Sequence, residues 1–234
     1  MRKAWLVARR ELGDLVGDRS FLLGLGILVL MPLFLVLTLA GGATRSPGSI
    51  IFFFALQSAL FPSFMAVNAA AATFAQEKEA QTLLPLLAAP IRDLDIIVGK
   101  TLAILLPATA ASWLALAAYD VVATLRFGAE PVASVLSPPT LLSLGALAAF
   151  LVLTLGSWAM VIASRVKTVR AAQQISGLLA GLLVAVFVAA ASFITQVLDG
   201  WLLVLLPLGV LAADIVALEL TRRLWQREEV IARI

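Results

Sequence analysis

The chain has 234 residues, 62% of them hydrophobic and 13% charged, with a net charge of +3, a pI of about 9.8 and a mean hydropathy of +1.05. A soluble globular domain carries about 25% charged residues, so this composition excludes one and marks an integral membrane protein. With no His and no Cys, zinc sites built from those ligands, thiol nucleophiles, imidazole bases and disulfides are excluded as well.

Residues 1–20 predict an amphipathic helix. On a helical wheel Trp5, Ala8, Leu12, Leu15 and Val16 fall on one side and Lys3, Arg10, Glu11, Asp14 and Asp18 on the other. Arg2 and Arg9 stand at the boundary, where long side chains snorkel. Such a helix lies along a leaflet surface, either as an anchor alone or also cradling a cytosolic partner. The acids Glu11, Asp14 and Asp18 before the first apolar run are unlike the short basic start of a signal peptide, so that run reads as a retained span.

Six windows satisfy the roughly 20 apolar residues that a helix needs to cross the hydrocarbon core: 21–40, 50–75, 96–118, 140–164, 176–198 and 201–220. They are continuously apolar rather than alternating, which predicts helices and not a barrel. The expected fold is an all-α membrane protein, one transmembrane domain over 1–234 with a cytosolic tail at 221–234.

Between the second and third windows, 76–95 is charged and amphipathic. Glu77, Lys78 and Glu79 are expected just in water; Thr82, Leu83, Leu86 and Leu87 recur as a short apolar face, and Pro85 and Pro90 break the helix. A short rigid elbow of this kind suits a groove on another protein; a solvated loop with its leucines against the lipid fits the periodicity equally well. If the N-terminus is cytosolic, fifteen of the 17 basic residues fall inside and only Arg45 and Arg126 outside, which predicts six spans with both termini in. The basic pI then reflects attraction to anionic lipid, and nucleic acid is not needed as a partner.

Two apparent motifs carry no chemistry. Gly99-Lys100-Thr101 mimics the end of a phosphate-binding loop, but the required upstream glycine is Leu94 and no strand precedes it. Asp120 and Asp214 fall at opposite ends of their expected spans, so they cannot share a proton as an aspartyl protease pair does. No catalytic residues and no metal ligands are expected. The polar candidates for a pathway or for packing are Gln57, Asn68, Lys100, Gln196, Asp214 and Glu219. Lys100 and Asp214 are expected to form an ion pair, and Gln57 and Asn68 share one helix face. Gly177 and Gly181 suit close packing within the protomer or across a dimer.

The run Glu77-Lys78-Glu79-x-x-Thr82-Leu83-x-x-Leu86-Leu87-Ala88-x-Pro90-Ile91, followed by Gly99-Lys100, resembles the segment after the second span in ABC-2 exporter permeases. Ala8-Arg9-Arg10-Glu11-Leu12, with Asp18-Arg19 ahead of the first span, is similar to that family's N-terminal interface helix. The resemblance implies interface-helix roles for Trp5, Arg9, Arg10 and Glu11 and an ATPase-coupling role for Glu77, Lys78, Glu79, Thr82, Leu83, Leu86, Leu87, Pro90 and Ile91. It further implies a multi-pass permease of the cytoplasmic membrane, a homodimer or paired permease, and a separate cytosolic ABC ATPase subunit that holds the ATP and magnesium. Gln81 departs from the family's usual Gly, and Asp199-Gly200 is a very short outer connection. Two other classes compete: a stand-alone secondary transporter, which would place a titratable group near the midplane, and a non-transporting scaffold, which would not need the elbow.

Overall fold

A computed structural model describes residues 2–39, 47–79, 93–166, 168–197, 210–212 and 215. Among these, nearly every residue is helical and none is in a strand. The helices are α1 (Arg2–Gly17), α2 (Arg19–Leu39), α3 (Pro47–Glu79), α4 (Asp93–Phe127), α5 (Ala129–Val135), α6 (Pro138–Arg165) and α7 (Val169–Val197).

Five stretches, Arg19–Thr38, Gly48–Thr73, Val98–Phe127, Pro138–Ala163 and Val169–Val186, are long and apolar enough to cross a membrane. The chain is therefore a multi-pass membrane protein. The sixth window, 201–220, falls almost wholly outside the described residues. The fifth spanning helix, α7, starts at Val169, ahead of the window at 176, because Arg170, Gln173 and Gln174 extend it with a polar first stretch that hydropathy passes over.

The centre of the bundle is α3. About 67% of its spanning window is buried and 61% of that of α6, against 22% for α2 and α7, which stand at the periphery. The reason lies in the sequence of α3. Ala55, Ala59, Ala66, Ala69 to Ala72 and Ala75 are all buried, and small side chains let neighbouring backbones approach closely where no hydrophobic effect drives helices together. Ile51, Leu56 and Leu60 of α3 join Leu116 of α4 and Leu151 and Met160 of α6 in one core. Tyr119 of α4 donates its hydroxyl hydrogen to the Ile51 carbonyl at 2.9 Å, tying α4 to α3 at the end far from α1.

The turn from α4 into α5 depends on Gly128, whose φ of 93° a side chain would strain. Its N–H donates to the Thr124 carbonyl at 2.9 Å and closes the last turn of α4. The short α5 then buries Val132, followed by Leu136, against the core. Pro138 and Pro139 open α6, where a missing N–H costs nothing.

Candidate functional site

Chemistry-bearing residues gather at the end of the bundle where α1 crosses the start of α4. A side-chain carbon placed on Gly99 would lie 2.7 Å from the Ala4 carbonyl oxygen and 2.7 Å from Val7 Cβ. Only hydrogen fits there, so the crossing is as close as two helices allow, and Ala4 and Ala8 of α1 are buried against it. One residue on, Lys100 is fully buried and its Nζ donates to Glu11 Oε1 at 2.9 Å; the Glu11 side chain keeps 17% exposure. Burying an ammonium is tolerable only with an opposite charge in hydrogen-bonding contact, and Glu11 supplies one.

This geometry rotates α1 relative to the wheel drawn from sequence. Its packed stripe runs through Ala4, Ala8, Glu11 and Leu15, at helical spacing, so Glu11 belongs to the inner face rather than the polar one. Trp5 and Val16 are about half exposed and form an outward apolar edge together with Leu6. Arg9 is exposed. The sequence reading missed the Glu11 contact because it matched Lys100 to the apolar-window acid Asp214, which lies outside the described residues. The signal that could have found it is the stripe of two alanines and one acid at positions four and three apart.

At the opposite flank of the same region, Glu79 ends α3 and its Oε1 accepts a hydrogen bond from the Val169 N–H at 2.9 Å. The carboxylate thereby caps the first turn of α7 and complements that helix's positive end. Glu77 and Lys78 continue the α3 backbone. Thr82, Leu83, Leu86, Leu87, Pro90 and Ile91 lie outside the described residues.

Between these two ties lies a cavity of about 360 Å³. One wall is α1, with Arg10 and Asp14; Asp18 and Ser20 form the hinge into α2; Asn68, Thr73 and Gln76 come from α3 and Gln173 from α7; Phe21 and Met65 add apolar surface. Asp18 Oδ1 accepts from the Ser20 N–H at 2.8 Å and from its hydroxyl at 2.7 Å, capping α2, and these bonds hold the Asp18 carboxyl below its ordinary range. The cavity straddles the level at which the spans Arg19–Thr38 and Val169–Val186 begin and Gly48–Thr73 ends.

Asn68 therefore lines a cavity, as expected of an intramembrane amide. Gln57 does not share it: eleven residues separate the two on α3, about 16 Å of helix rise, and the Gln57 amide oxygen is buried without a hydrogen-bond partner among the described residues. Among the described residues Gly177 and Gly181 meet nothing within 4 Å, and beside them Leu178, Leu182 and Val186 are exposed. Among the described residues no three His, Cys, Asp or Glu side chains gather where a metal ion could be held. The arrangement offers paired charges, amides and an apolar floor, a set suited to binding and to mechanical linkage. Compared with protein-family models and with characterised proteins, the chain matches none.

Proposed function

We propose that the chain is the membrane-spanning permease subunit of an ATP-driven exporter of the ABC-2 type, with six spans and both termini in the cytosol. In this reading it works in the cytoplasmic membrane as a homodimer or with a second permease, and a separate cytosolic ABC ATPase binds ATP and magnesium and grips 80–92. The observation that carries the reading is that both flanks of 80–92 are tied to other helices. Glu79, before it, caps α7 at 2.9 Å; Gly99 and Lys100, after it, lock α4 to α1. A push delivered to that segment by a partner reaches α1, α3, α4 and α7 together, which is what a coupling element has to accomplish.

The exposed apolar edge of α7 beside Gly177 and Gly181 supports a helix-to-helix contact with a second permease. The few fixed charges facing the interior favour an amphipathic or hydrophobic substrate over a highly charged one.

The test is co-expression with a candidate ABC ATPase subunit from the same source, followed by affinity purification in detergent. The pair is expected to co-purify, with ATP hydrolysis appearing only in the complex, and replacing Leu83, Leu86 and Leu87 with Ser is expected to release the ATPase. Proton-driven uptake by the chain alone in vesicles would instead establish a secondary transporter. Neither ATPase capture nor transport would leave the scaffold reading.

A further inference from the structure

We propose that the cavity between α1, α2, α3 and α7 binds the headgroup of a zwitterionic aminophospholipid, a phosphate joined through a two-carbon link to a primary ammonium, drawn from the leaflet on the α1 side. The proposal does not depend on the export reading.

The charges set the ligand class. Of the acids on this wall, Glu11 is already bonded to Lys100 and Asp18 to Ser20. Arg10 and Asp14 remain. They stand one turn apart on α1, about 6 Å along its axis, yet form no ion pair with each other or with any described residue. A cation placed four residues before an anion is the weaker order for pairing within a helix, so each charge is left to a ligand. A guanidinium matches a phosphate through its planar fork of donors, and a carboxylate one turn further accepts from an ammonium. A purely anionic headgroup would meet Arg10 but face Asp14 and Asp18; a purely cationic ligand would face Arg10. Only a ligand carrying both signs satisfies the wall.

Position and polarity select a lipid over a soluble molecule. The cavity sits at the level where the apolar spans begin, which is where headgroups lie. Asn68 and Gln173 bring amide donors to its wall, and Phe21 and Met65 add apolar surface. Directly after Phe21, Leu22 and Leu23 are exposed on the outside of α2, an apolar path for acyl chains.

The experiment is lipid retention by the full-length protein, purified in detergent, exchanged with an equimolar mixture of phosphatidylethanolamine and phosphatidylglycerol, and read by native mass spectrometry. Phosphatidylethanolamine is expected to be retained several-fold over phosphatidylglycerol. Asp14→Asn, at an exposed position, is expected to cut that preference about three- to tenfold, the loss of one charge-assisted bond in a partly solvated site. Gln173→Leu is expected to weaken retention of both lipids, and Arg126→Gln at the far end to leave the preference unchanged. Equal retention of the two lipids by the unmodified protein, a preference for the anionic one, or an undiminished preference in Asp14→Asn would overturn the proposal. Displacement of bound lipid by free phosphoethanolamine as effective as that by the lipid itself would assign the site to a soluble ligand and overturn the lipid assignment.

Discussion

Removing Glu11 is expected to cost the protein more than removing Lys100, although the two form one ion pair. At 2.9 Å the pair's Coulomb attraction is of order 5 kcal/mol at the effective dielectric of about 20 that suits partly buried sites, most of it offset by the desolvation of both groups. In Glu11→Leu the Lys100 ammonium keeps its full burial and loses a carboxylate, the situation in which breaking a buried pair costs about 3–5 kcal/mol. Leu is as good a helix former as Glu, so propensity does not confound the change. In Lys100→Met the remaining carboxylate keeps its 17% exposure and can rehydrate, so a loss of about 1–3 kcal/mol is expected. The double variant replaces the pair by apolar groups of similar size and is expected to lose less than the sum of the two singles. Thermal unfolding in detergent reads these differences, at about 2–4 °C per kcal/mol for a chain of this length, so Glu11→Leu should fall by about 6–20 °C. Strictly additive losses, or a larger drop for Lys100→Met than for Glu11→Leu, would refute the reasoning.

Gly99→Val is expected to unseat α1, because the new side chain meets the Ala4 backbone rather than a movable group; a cost of about 1–3 kcal/mol and faster proteolysis within α1 would check it. Glu79→Ala is expected to loosen the first turn of α7, about 1 kcal/mol for a lost cap, visible as faster hydrogen exchange at the amides of 169–172 while the rest of α7 is unchanged. Tyr119→Phe removes a buried hydrogen bond to the Ile51 carbonyl and is expected to lower stability by about 1 kcal/mol, measured by the same thermal assay. Gly145→Ala is expected to push away the Trp113 indole that lies over it, seen as a change in tryptophan emission and a modest loss of stability.

Much of the architecture was legible because hydrophobicity in a bilayer is a one-dimensional constraint. A run of about 20 apolar residues reads as a spanning helix, so the windows 21–40, 50–75 and 140–164 match spanning helices to within about two residues, while 96–118 and 176–198 overlap theirs with ends displaced by up to about 12 residues. The amphipathic helix at the start and the charged continuation of α3 to Glu79 were legible for the same reason, as breaks in the apolar pattern. The turn helix α5 was not anticipated. Its seven residues are too few for periodicity to register, and its place depends on the left-handed backbone of Gly128.

The candidate site was legible in its residue types and not in its pairings. Lys100 in an apolar window announced a buried charge that requires a partner, but sequence cannot show that Glu11, 89 residues away, reaches it, because that depends on which helix crosses which. That crossing is decided by Gly99, Ala4 and Ala8: three small residues bring α1 close enough for Glu11 to reach inward. Likewise nothing in Glu79 itself indicates that it caps a helix starting 90 residues later. Composition and periodicity settle which segments enter the membrane, since each residue's transfer free energy is local and additive along the chain. Which charges meet, and therefore that α1, α2, α3 and α7 enclose a cavity lined by Arg10 and Asp14, is decided only by packing, because hydrogen-bonded ion pairs and van der Waals contacts need their groups within a few ångströms and form only once the helices have been brought together.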